Sequence, residues 1–122
     1  MTKDKELIKH FIRYCKKELG IQSLPHIKFL ADKNWVVERR SFGEYSVADN
    51  TVCVYYRGRN TADVFRSLAH ELTHHRQLEL NMLHTGAGET GTEIENEANA
   101  MAGILLRDYG KLNPNIYDTT ND

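Results

Sequence analysis

Residues 60–81, NTADVFRSLAHELTHHRQLELN, constrain this 122-residue chain more than any other stretch. The run has no internal glycine or proline, and it opens on Asn60 and Thr61, either of which can cap a helix. On a helix Phe65, Leu68 and Leu72 make one apolar stripe, while His70 and His74, one turn apart, project together from a different face. Two imidazoles so placed can offer nitrogens to one zinc ion. Glu71 lies about 100° around the helix from His70, close enough to hold a carboxylate over a bound water without taking a ligand position. The pattern His-Glu-x-x-His therefore sets two ligands and a general base on one rigid turn. Any fold for this chain has to bury one side of that helix and leave the other open.

The length allows one domain with one modest core, here 1–112, followed by a polar, loosely held tail at 113–122. A net charge of -1 with mixed signs gives no electrostatic case for nucleic acid or an anionic membrane. No apolar run is long enough to span a bilayer, and the first residues lead into a charged helix instead of a signal-peptide core, so a cytoplasmic location is expected. Cys15 and Cys53 lack C-x-x-C spacing and a third thiol. Both read as reduced thiols in or near the core.

Taken in order, residues 4–19 repeat Leu7, Ile8, Phe11, Ile12, Cys15 and Leu19 at helical spacing, and Gly20 ends that helix, which is expected to cover a sheet. Residues 26–31 read as a first strand, and 35–37 fit either a short helix or a strand start. Residues 41–47 and 51–56 suggest an antiparallel hairpin. The second of these, just before the histidine helix, is expected to offer a free edge to an extended peptide. Three glycines in 84–91 require a loop. A second long helix over 92–109 carries Ile94, Ala98, Met101, Ala102 and Leu105 as its packing stripe, and Gly110 ends it. The expected class is α+β: an N-terminal helix, a small and mostly antiparallel sheet, and two long helices.

A catalytic zinc normally takes three protein groups and water, so a third ligand is needed. Position 80 is Leu80, which excludes a third histidine six residues after His74. Glu93, Glu95 and Glu97 on the second helix and His84 in the loop are the candidates. With Glu95 at zero, Asn99 falls at about 40° and Ala102 at about -20°, so Glu95 borders the small-residue flank. Glu97 and Glu93 lie about 200° away on the other side. Thr90 or Thr92 with Glu93 or Glu95 also makes a capping box. The angles favour Glu95 and leave Glu97 and His84 as alternatives.

HELTH, followed some twenty residues later by Glu95-x-x-Ala98-Asn99 and then Ala102-x-x-Leu105-Leu106, resembles the gluzincin metallopeptidases. The likeness is greatest to their ImmA/IrrE-type branch and to minimal gluzincins that keep only the sheet-plus-helix part of the fold. It covers residues 42–106, and the first 41 only by topology. The resemblance implies a minimal zincin fold in which His70, His74 and Glu95 bind one Zn²⁺ and Glu71 is the base. It further implies that Asn99 hydrogen-bonds a ligand side chain. Many gluzincins have Asp at that position, and this chain also lacks their helical lower lobe, which leaves the cleft walled on one side or completed by a protein partner.

The expected chemistry is zinc-dependent hydrolysis of a peptide bond in a protein or peptide. His84, Tyr109 and Tyr55 are candidates to stabilise the oxyanion, His84 first because it lies between the two long helices. His75, His10 and His26 read as structural. Two other readings stand beside this one: a non-catalytic zinc-stabilised domain closed by His84, and a regulatory protein-binding module on a peptidase fold. By family analogy the target is a protein such as a repressor, and the size and charge suit a phage or mobile-element product acting in a host cytoplasm.

Overall fold

The computed structural model describes residues 5–82 and 92–122. The elements are α1 (Lys5–Leu19), β1 (His26–Leu30), α2 (Lys33–Arg39), β2 (Gly43–Ser46), β3 (Thr51–Tyr55), α3 (Thr61–Glu79), α4 (Glu93–Leu112) and a closing 3-10 turn, Pro114–Tyr117. The class is α+β with a three-stranded mixed sheet.

The helices pack by the stripes that the periodicity predicts. Phe65, Leu68 and Leu72 of α3 are fully buried, and Ile8, Phe11 and Cys15 of α1 meet them in one core cluster. Phe11 stacks on Phe65 at 4.3 Å between centroids and meets the Tyr109 ring edge-on at 4.8 Å. These aromatic contacts draw α1 chiefly onto α3 and α4, so the expectation that α1 covers the sheet is corrected: the sheet lies against α3. Ala98 and Ala102 are buried on α4, where small side chains allow the close approach of two long helices.

Strand order is β1-β3-β2, with β1 parallel and β2 antiparallel to β3. The hairpin forms as expected, but a sheet that is mostly antiparallel does not. The crossover through α2 returns the chain so that β3 inserts beside β1. Both sides of β3 are thereby hydrogen-bonded, and residues 51–56 cannot offer the free edge expected of them. The outer strands are β1 and β2, and of these β2 lies beside Glu71. Val52 and Val54 are fully buried on the central strand.

Residues 35–37 are helical because Asp32 caps α2 by accepting from the Asn34 N–H at 2.9 Å, and Arg40 closes it with φ 53°. Gly110 does not terminate α4, which runs on to Leu112. A side chain at Gly110 would collide with the Tyr117 ring, so the glycine serves a close approach. The polar tail is docked as well. Ile116 is fully buried, and Asn121 exchanges backbone hydrogen bonds with Gly58 and Arg59 while its amide donates to Arg59 O at 3.0 Å and to Thr61 at 3.3 Å. Among the described residues no helix is long and apolar enough to cross a membrane.

Candidate metal centre

The site begins with the Asn60 cap. Its side chain accepts from the Ala62 N–H at 2.9 Å, and this fixes the start of α3 about two and a half turns ahead of His70. The buried stripe then fixes the helix's rotation, which turns His70, Glu71 and His74 toward α4 and β2. Their ligating atoms lie within 4.8 Å of one another, a group that can hold a metal ion.

Glu95 approaches the two imidazoles more closely still. His70 Nε2 is 2.9 Å from Glu95 Oε1, His74 Nε2 is 3.1 Å from Glu95 Oε2, and the two Nε2 atoms are 3.2 Å apart. Thr92 caps α4 by accepting from the Glu95 N–H at 3.1 Å. The Glu95 carboxylate, which the spacing also allowed to close a capping box on Thr92, turns to the histidines. Glu97 points elsewhere and accepts from Gln77 Nε2 at 2.8 Å. Glu93 is exposed, and His84 lies outside the described residues.

Gln77 is a site residue that the spacing argument missed. It is 1% exposed, and its Nε2 donates both to Ile94 O at 3.1 Å and to Glu97 Oε1 at 2.8 Å. Two acceptors on Nε2 fix the amide's orientation, so Oε1 faces His74 Nδ1 at 2.9 Å and must accept the proton from it. With Nδ1 protonated, the neutral His74 ring presents a lone pair at Nε2. That lone pair meets a carboxylate oxygen and the Nε2 of His70, an arrangement of converging acceptors that a cation or an added proton has to stabilise. For Gln77 the sequence offers only its spacing, three residues after His74 on the same helix, and its burial appears only in the fold.

The donor set fits zinc. A tetrahedral ion with bonds of roughly 2.0–2.1 Å holds its donors about 3.3 Å apart, close to the three separations found here. Burial lowers the His70 pKa, followed by opposed effects of Glu95 and His74, and Asn99 hydrogen-bonds the ring. A ligand imidazole has to be neutral, and burial favours that state.

Glu71 is 8% exposed, and burial, then Glu95, then Glu44 push its carboxyl up to about 8. It sits over Gly43 at the start of the free edge strand, where a Cβ would come within 3.0 Å of Glu71 Oε2. Only glycine leaves the carboxylate its present place. A cleft of about 440 Å³ opens here, lined by Ser41, Phe42 and Gly43 on one side, Arg66, Ser67, His70 and Glu71 along α3, and Glu95, Asn99 and Ala102 from α4. Arg59 braces its wall: it lies 4.2 Å from the Phe42 ring centroid and donates to Tyr55 O at 2.7 Å and Ser67 Oγ at 2.8 Å.

Neither tyrosine considered for the oxyanion lines this cleft. Tyr109 is fully buried in the core with its hydroxyl 2.7 Å from His10 Nδ1, and Tyr55 packs against Phe42. His75 is structural: it bonds the Tyr45 hydroxyl at 2.8 Å and Ser23 O, tying β2 and the loop after α1 to α3. Comparison with protein-family models, curated proteins and solved structures returns no match for the chain.

Proposed function

We propose that this protein is a zinc-dependent hydrolase. The observation that carries the proposal is the convergence of two histidine nitrogens and the Glu95 carboxylate within 3.2 Å, with Glu71 buried beside them. Within that class, the reading the cleft supports best is a peptidase of the gluzincin type on a minimal zincin fold. Its ligands are His70, His74 and Glu95, and its substrate is a peptide segment of a protein.

His70, His74 and Glu95 would hold the ion, and the chemistry it would supply when bound is a water activated toward a pKa of ~7. Glu71 accepts the proton as the water oxygen adds to the scissile carbonyl, then returns it to the departing amine nitrogen as the C–N bond breaks. Asn99 and Gln77 hold the two imidazoles in orientation, one on His70 and the other on His74. The unpaired edge of β2, whose Gly43 borders Glu71, supplies backbone groups to align an extended peptide.

A purely structural zinc domain has no use for Glu71 buried against the ligands at the mouth of a cleft, which disfavours that alternative. The discriminating experiment is Glu71→Gln. Zinc content should stay at one per chain while hydrolysis of a denatured protein substrate falls about 10²–10⁴-fold, the usual worth of a general base. Unchanged hydrolysis removes the catalytic reading.

A further inference from the structure

The cleft carries one full positive charge among its described lining residues, and it belongs to Arg66. This side chain is exposed and makes no ion pair or hydrogen bond with any described residue. Arg59, which braces the cleft wall, is committed: it holds Tyr55, Asp63 and Ser67. Arg66 stands four residues before His70, just over one helical turn or about 6 Å along α3. An extended peptide advances about 3.3 Å per residue, so that turn spans between one and two residues of a bound segment. Next to it, Ser67 Oγ accepts from Arg59 and keeps its own O–H to donate into the cleft. Planar guanidinium donors beside a hydroxyl suit a carboxylate. His70, Glu71 and Glu95 line the same cleft, so a carboxylate held by Arg66 sits about one helical turn from the metal centre.

We propose that Arg66 reads substrate charge: the cleft selects peptide segments that carry a carboxylate within two residues of the bond presented to Glu71. The group is either an Asp or Glu side chain or the C-terminal carboxylate of the chain being cut. This inference rests on the peptidase reading, because it takes the occupant to be a peptide.

The test uses the zinc-loaded full chain as Glu71→Gln, so that binding is measured without turnover. Fluorescein-labelled peptide pools with a fixed central Glu or Gln, each made as C-terminal amide and free acid, are titrated by fluorescence anisotropy. The anionic pools should bind about tenfold more tightly than the Gln amide pool. Glu-amide against Gln-acid tells which carboxylate is read. In the double variant carrying Arg66→Gln the preference should vanish, and with Arg66→Glu a Lys pool should be favoured instead. Zinc content and near-ultraviolet dichroism verify that the exposed substitutions leave the fold intact. Equal affinity for all pools, no measurable binding by any of them, or a preference that survives Arg66→Gln overturns the proposal. Wild-type cleavage of the same pools, followed by mass spectrometry, separates it from the peptidase reading. An Arg66-dependent binding preference without cleavage leaves this inference standing and removes the peptidase; cleavage of Glu and Gln pools at equal kcat/KM does the opposite.

Discussion

Gln77→Met tests whether the ligand geometry is held from behind. Methionine keeps the length and apolar volume of glutamine but removes three polar contacts, to His74 Nδ1, Ile94 O and Glu97 Oε1. The His74 N–H is left buried without an acceptor, a loss of about 1–3 kcal/mol. The Ile94 carbonyl is half-buried and Glu97 exposed, so water reaches both and they add less. The metal-free protein should lose about 1.5–4 kcal/mol in urea denaturation with chelator present. Zinc affinity, from competition with a chromogenic chelator well below the denaturation midpoint, should fall about 10–100-fold, because the ring loses the bond that fixes its tautomer. An affinity within twofold of wild type in a folded variant would refute the reasoning and reduce Gln77 to a packing residue.

Three further outcomes follow from the same geometry. In metal-free protein, Glu71 has a folded pKa of about 8 against 4.5 unfolded, so the folded state holds its proton where the unfolded state has lost it. Its contribution to stability therefore declines as pH rises from about 4.5 to 8, by up to about 1.4 kcal/mol per pH unit. In denaturation from pH 5 to 8, wild type should lose stability relative to Glu71→Gln as pH rises, and a pH-independent difference contradicts the burial argument. Gly43→Ala should lower kcat/KM about tenfold with zinc affinity unchanged, since the added carbon displaces Glu71 and not a ligand; isothermal titration alongside the activity assay checks both. Phe65→Ala, a fully buried ring stacked on Phe11, should cost about 3–5 kcal/mol whether or not zinc is present, as read from the denaturation midpoint.

The parts of this molecule that could be read from sequence are those with a helical period. The stripe of Phe65, Leu68 and Leu72 fixes which way α3 faces and hence where His70 and His74 point, and the same arithmetic on the second helix brings Glu95 toward them and sends Glu97 away. Strand neighbours have no such signature. Five residues of β3 look alike whether they lie at an edge or at the centre, and the crossover through α2 decided the matter. Gln77 was hidden because a glutamine in a polar run becomes a ligand's support only once α4 delivers Ile94 O and Glu97. The tail misled for a related reason: its polar residues are anchored by backbone hydrogen bonds to Gly58, Arg59 and Thr61, which composition does not record. Gly110 reads as a helix stop until the Tyr117 ring is found against it.

The most direct test of the account is X-ray absorption at the zinc edge on the protein reconstituted with one equivalent of metal. The account predicts two imidazole nitrogens and oxygen donors at roughly 2.0–2.1 Å, with one oxygen lost and affinity reduced in Glu95→Ala. A sulfur scatterer, a third imidazole in place of the carboxylate, or a spectrum and affinity indifferent to Glu95 would contradict it.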